Sequence, residues 1–259
     1  MTKDKNVYIN RELSWLQFNA RVLQEAADKN VPLIERLRFL GIFSNNLDEF
    51  FKVRYATVKR IFEAGKGGKS ELGGIKAGEL LEEITQVAIQ LQAKSQAIFS
   101  QIERELATEN IFIIDETKVS ESQDAFVKDY FNREVNPELI TIILNKLAEF
   151  PTLKDTAAYL AVRMELNKDS KLLETDDRIQ YALIEIPKRL NRFVVLPKED
   201  GKNFIMMVDD VIRYCMGKIF TMLDYKDISA NKINSTRDAE LDMDNDLSKS
   251  FSKLSAMLL

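Results

Sequence analysis

Residues 9–28 read INRELSWLQFNARVLQEAAD, and residues 31–60 read VPLIERLRFLGIFSNNLDEFFKVRYATVKR. In the first stretch Leu13, Leu16, Ala20, Leu23 and Ala27 recur at steps of three and four, the spacing that places side chains on one face of an α-helix. Trp15, Phe18 and Val22 widen that face, which predicts a helix over Asn10–Asp28. Pro32 suits the first turn of a following helix, where its missing N–H has no partner to lose, and Leu33, Ile34, Leu37 and Leu40 carry the period to a break near Ser44. A third helix is expected from Leu47 to about Glu63. Its stripe of Leu47, Phe50, Phe51, Tyr55, Val58, Ile61 and Phe62 has enough aromatic bulk to anchor a small bundle.

Beyond these helices, five of the nine glycines fall between Gly65 and Gly74, which predicts a connection rather than an element. Leu80, Ile84, Val87, Leu91, Ile98, Ile102 and Leu106 then mark a long amphipathic helix from about Ile75 to Thr108. Residues 1–108 are therefore read as an antiparallel helical bundle. At Ile111 the period changes. Short β-rich runs at 111–114, 139–144, 158–166, 179–186, 193–196, 204–208 and 228–233 alternate with a helix around Gln123 to Val135 and another, capped by Asp209 or Asp210, through Val211, Tyr214, Cys215 and Ile219. The fold class is α+β, with residues 109–259 forming a mixed, mainly antiparallel sheet domain with helices. From about Thr236 the residues Leu247, Phe251, Leu254 and Leu258 fall in helical register, and the chain stops with that face incomplete, so a longer protein is expected.

Composition narrows the chemistry. The 259 residues contain no histidine, which removes a histidine general base, a histidine metal ligand, a Ser-His-Asp triad and a phosphohistidine from this chain. With a net charge of -4 there is no basic field to attract nucleic acid or an anionic membrane. Cys215 is alone and cannot form an internal disulfide, which suits a reducing cytoplasm and a place in the core. The opening residues lack the apolar run of a signal peptide, and about 18 consecutive apolar residues occur nowhere.

Four local patterns invite a functional reading. Gly68-Lys69-Ser70 resembles the end of a phosphate-binding loop, but Glu63 stands where that motif needs glycine and a helix precedes it, so an ordinary loop is expected. The alternating acids Asp238, Glu240, Asp242, Asp244 and Asp246 lack the glycine and final glutamate of a calcium loop and read as a solvated first helical turn; no metal site is assigned. Lys52, Arg54, Lys59 and Arg60 carry the groups a phosphate chain requires, yet their spacing does not bring them to one face. Between the second and third helices, Ser44-Asn45-Asn46-Leu47-Asp48-Glu49 approaches a capping box, with Asn46 as cap and Glu49 three residues on. A carboxamide there could equally present its donor and acceptor to an adenine edge.

The two quoted stretches closely resemble the amino-terminal helical domain of the polyphosphate kinase family. The resemblance continues, more loosely, through YALIEIP (181–187), RFVVLP (192–197), VDDVIRYCMGKIF (208–220) and STRDAELDMDNDL (235–247). It implies an enzyme that reversibly transfers the terminal phosphate of ATP to inorganic polyphosphate, with magnesium and a phosphohistidine intermediate. It also implies a homodimer, cytoplasmic or peripheral on the inner membrane face. In the family, an asparagine of SNNLDEF contacts ATP and matches Asn46 here, while the following domain is associated with dimer formation. No catalytic residue is expected in this chain, since the phosphate-accepting histidine and the arginines near magnesium belong to later domains. The other reading open at this point is a purely structural module that forms the dimer and shapes the polyphosphate entrance.

Overall fold

A computed structural model of the chain describes residues 9–65, 72, 74–147, 149–155, 157–167 and 178–235. The loop at Gly68-Lys69-Ser70, the acidic run Asp238–Asp246 and the stripe Leu247–Leu258 lie outside the described residues. The chain divides into two compact units between Glu109 and Asn110.

The first unit is helical: α1 (Arg11–Ala27), α2 (Leu33–Phe50), a π-helical turn (Phe51–Tyr55), α3 (Ala56–Glu63) and α4 (Ala77–Thr108). Asn10 starts α1 by accepting from the amide of Glu12, and its own Nδ2 donates to the carbonyl of Leu72 at 2.9 Å. The buried face of α1 is Glu12, Leu13, Leu16, Asn19, Leu23 and Ala26, so it is turned from the expected stripe: Ala20 and Ala27 lie at its margin and Phe18 is exposed. Two polar residues on an otherwise apolar face account for the difference, because periodicity counts only apolar positions.

The expected break near Ser44 does not occur. The helix runs through Ser44-Asn45-Asn46, and Asn46 caps nothing. Weak helix formers are tolerated here because Ser44 and Asn45 are solvated while Phe43, Leu47 and Phe50 stay buried in register, so packing overrides local propensity. The wider turn at Phe51–Tyr55 then joins α2 to α3 without an interruption. Along α4, Leu80, Ile84, Ala88, Leu91, Ile98, Ile102 and Leu106 are buried. Arg36, 1% exposed, ties three helices together: Nε donates to the carbonyl of Ala26 at 2.8 Å and Nη1 to Glu105 of α4 at 2.5 Å.

The second unit holds two sheets. Strands β1 (Ile111–Ile114), β6 (Asn203–Met207) and β5 (Phe193–Val195) form one, in the order β1-β6-β5, with β1 and β6 parallel and β5 antiparallel to β6. Strands β2 (Ile140–Ile143), β4 (Ile179–Glu185), β3 (Ala157–Leu166) and β7 (Tyr225–Ser235) form the other, wholly antiparallel, in the order β2-β4-β3-β7. Alternation along the central strands sorts side chains between two cores. Leu160, Val162, Met164, Ala182 and Ile184 join Val127 and Phe131 from the α5 (Glu121–Tyr130) segment and Val211 and Ile212 from α6 (Val208–Tyr214). Ala157, Tyr159, Ala161 and Leu183 face the opposite way with Leu144.

Ser120 and Gln123 make a capping box at the start of α5. At α6 the expected aspartate cap is absent: Met207 occupies the cap position, and Asp209 and Asp210 sit inside the first turn. Their carboxylates are held by other partners, with Asp209 3.3 Å from Lys232 and Asp210 bonded to Arg213. Cys215 is buried beside α6, and burial pushes its thiol up to about 11.

Candidate functional site

Successive turns of α1 and of the α2–π segment meet as three pairs: Asn19 with Asn46, Trp15 with Phe50, and Glu12 with Arg54. Each pair differs in chemistry. Glu12 is buried and accepts from Arg11 Nη2 at 2.7 Å and from Arg54 Nη1 at 3.1 Å, so two guanidinium groups compensate one carboxylate out of water. The Arg54 guanidinium also lies 6.0 Å from the Trp15 ring centroid, within cation–π range. Trp15 stacks on the buried Phe50 at 5.0 Å.

The third pair is two carboxamides. Asn19, fully buried, donates from Nδ2 to the carbonyl of Phe43 at 3.1 Å, and its Oδ1 accepts from Asn46 Nδ2 at 3.1 Å. Asn46 is half-buried, and Ile42, one turn before it, is exposed. Asp48, in the same motif, is raised above the ordinary carboxyl range by desolvation. The seam thus offers a fixed amide, an apolar flank and, two turns along, an arginine pair.

An open pocket of about 430 Å³ lies at the arginine end, lined by Arg11, Glu12, Arg54 and Thr57 with Val53, Val58, Ile61 and Leu72. The four basic residues singled out in the sequence do not gather there. Arg54 turns in to Glu12, Lys59 pairs with Glu63 at 3.7 Å along its own helix, and Arg60 donates to Thr57 at 3.2 Å. Periodicity had not singled out Asn19 and Glu12. Their signal is a polar side chain at a position where the helical period calls for an apolar one.

In the second unit Asp209, Asp210 and Glu116 surround Arg213, with Lys232 on Asp209. Burial raises Asp210 to about 6, against the pull of Arg213 and with Asp209 and Glu116 adding to the rise. Among the described residues no three His, Cys, Asp or Glu side chains converge to hold a metal ion. No helix among them is long and apolar enough to cross a membrane.

Two family models match the chain: the polyphosphate kinase N-terminal domain over residues 8–114 and the polyphosphate kinase middle domain over residues 122–258. The chain belongs to the polyphosphate kinase family. It is 42% identical over 250 residues to a polyphosphate kinase of Vibrio parahaemolyticus and 38% identical over 259 residues to that of Escherichia coli. These alignments take in 94% and 96% of this chain but 34% and 35% of those proteins, so the chain spans about a third of the length of the curated relatives it matches. The crystal structure of polyphosphate kinase from Porphyromonas gingivalis superposes on it with a TM-score of 0.74 at 30% identity, over 92% of this chain and 34% of that one. The first family match contains the whole Glu12–Trp15–Asn19 series and its partners on α2 and the π turn.

Proposed function

We propose that this chain supplies one wall of the nucleotide site of a polyphosphate kinase, with Asn46 meeting ATP. The enzyme it serves reversibly transfers the terminal phosphate of ATP to inorganic polyphosphate. Residues 1–108 act as the nucleotide-facing helical domain and residues 109–259 as the dimer-forming domain of a homodimer, cytoplasmic or peripheral on the inner membrane face. The observation that carries this reading is the Asn19–Asn46 pair: Asn46 spends one donor on a buried partner and keeps its remaining donor and acceptor for a ligand. The cap reading, which would have turned that side chain back on its own helix, has no place in a continuous α2.

The chemical step lies outside this chain. With no histidine among 259 residues it carries no phosphohistidine, so its own residues bind and orient while others transfer the phosphate. Magnesium, which the family's reaction implies, finds no ligand cluster among the described residues. The purified chain is expected to convert no ATP to polyphosphate, and turnover by it would contradict this assignment. In the complete enzyme, Asn46→Ala is expected to raise the ATP concentration for half-maximal rate about tenfold, the usual worth of one bidentate amide–base contact. An unchanged ATP dependence would remove Asn46 from the site.

A second reading, an assembly module without nucleotide contact, is favoured by one observation in the second unit. Edge strand β5 exposes Phe193 and Val195, and edge strand β2 exposes Ile140, surfaces that a monomer normally protects. Concentration-dependent dimerisation with no nucleotide-dependent change would favour it.

A further inference from the structure

We infer that Asn19 is a positioning residue: from its buried place on α1 it prevents the Asn46 carboxamide from turning over, and so sets which purine the site accepts. The inference rests on the reading of Asn46 as the nucleotide contact. A carboxamide has a donor end and an acceptor end of nearly the same shape, and only its neighbours decide which way it points.

Here the decision begins at a backbone carbonyl. The oxygen of Phe43 can only accept, so Asn19 turns Nδ2 toward it. That leaves Asn19 Oδ1 on its other side, again able only to accept, so Asn46 must present Nδ2 and not Oδ1. Turning Asn46 over would set two oxygens against each other beside a residue that is 0% exposed, where no water can bridge them. The direction of the amide on the ligand side is therefore written into α1 and α2 before any ligand arrives.

A fixed direction matters because the two purines differ there by an inversion. Adenine presents the N6 amino donor beside an acceptor at N1 or N7. Guanine presents an acceptor, O6, in place of that amino group, with N1–H as donor on one side and N7 as a second acceptor on the other. An amide free to turn over could satisfy adenine or the O6/N1–H edge of guanine equally well. An amide held by Asn19 satisfies one of them, and with ATP as the nucleotide that one is adenine. Asn19 touches no base, yet the selectivity is its doing.

The test follows the Asn46 side-chain amide in the nitrogen-15 NMR spectrum of the chain, titrated with ATP and with GTP. In the parent, ATP is expected to shift that resonance at least about tenfold more readily than GTP. Asn19→Leu removes the polar atoms while keeping the same branching of heavy atoms, and should bring the two nucleotides to parity with a cooperative melt retained. Parent-like selectivity in Asn19→Leu would overturn the role of Asn19 and leave the Asn46 contact standing. No nucleotide-dependent shift in the parent, or shifts unchanged elsewhere in Asn46→Ala, would overturn the Asn46 reading itself and this inference with it. Should Asn19→Leu not fold, solvent exchange in the parent decides: the Asn46 amide protons should exchange more slowly than those of exposed Asn45, and equal rates would overturn the inference.

Discussion

Asn19 and Glu12 place polar atoms on the one face of α1 that is otherwise leucine and alanine, and each is satisfied by a residue far along the chain. That dependence sets what substitutions cost. Asn19→Ala removes both bonds from a fully buried site and is expected to lower unfolding free energy by about 2 kcal/mol, whereas Asn46→Ala, which removes one bond at a half-buried position, should cost about 1 kcal/mol. Urea unfolding of the two variants orders them, and a larger loss at Asn46 would contradict the burial argument. Arg36 gives a stronger contrast. The residue is 1% exposed and its guanidinium relies on Glu105, whose carboxyl is held below its ordinary range by Gln101 first and Arg36 second. Glu105→Ala leaves a buried cation without its counter-charge and should cost about 3 kcal/mol. Breaking the exposed Arg38–Glu35 pair by Arg38→Ala should cost less than about 0.5 kcal/mol. Of these residues the sequence singled out only Asn46, as a cap that a continuous α2 does not need and, by resemblance, as an ATP contact. The others were not, because helical spacing tells which way a side chain faces and not what stands opposite: Glu105 lies 69 residues from Arg36, and Phe43 lies 24 from Asn19.

Elements with a strong period were read well. The limits of α1 and α4 follow from apolar spacing and from the polar residues that end them, and β3, β4 and the α5 segment stand close to where alternation put them. The joint between α2 and α3 was misread because serine and asparagine favour caps in isolation, while three buried apolar residues in register outweigh them here. That the strands divide into two sheets, with β1 parallel to β6, could not be read, since partners 92 residues apart leave no mark in either strand. The start of α6 carries a pH prediction. Asp210, raised from 3.8 to about 6 chiefly by burial, holds its proton more tightly folded than unfolded. Its contribution to stability is present below pH 3.8 and lost as pH rises through about 6. Asp210→Asn should therefore show a smaller fall in melting temperature across that window than the parent, and parallel curves would contradict the assignment.

At the scale of the molecule, two units divide the work, the helical one offering the Asn19–Asn46 seam and the mixed one a packed core with exposed apolar strand edges. Cys215 reports on the second core from within: buried, with its thiol pushed up to about 11, it should resist alkylation at pH 8 in the native chain and react once urea unfolds that unit. Ready alkylation without urea would show that the core opens under native conditions. Without histidine this chain carries no phosphohistidine, and the proposal made for it stands or falls on the Asn46 nucleotide contact. The most direct measurement is an ATP titration of the nitrogen-15-labelled chain beside its Asn46→Ala variant. Shifts centred on Asn46, Ile42 and the facing turns of α1, lost in the variant, are the expected result; shifts that persist unchanged in Asn46→Ala, or none at that seam, would contradict the account.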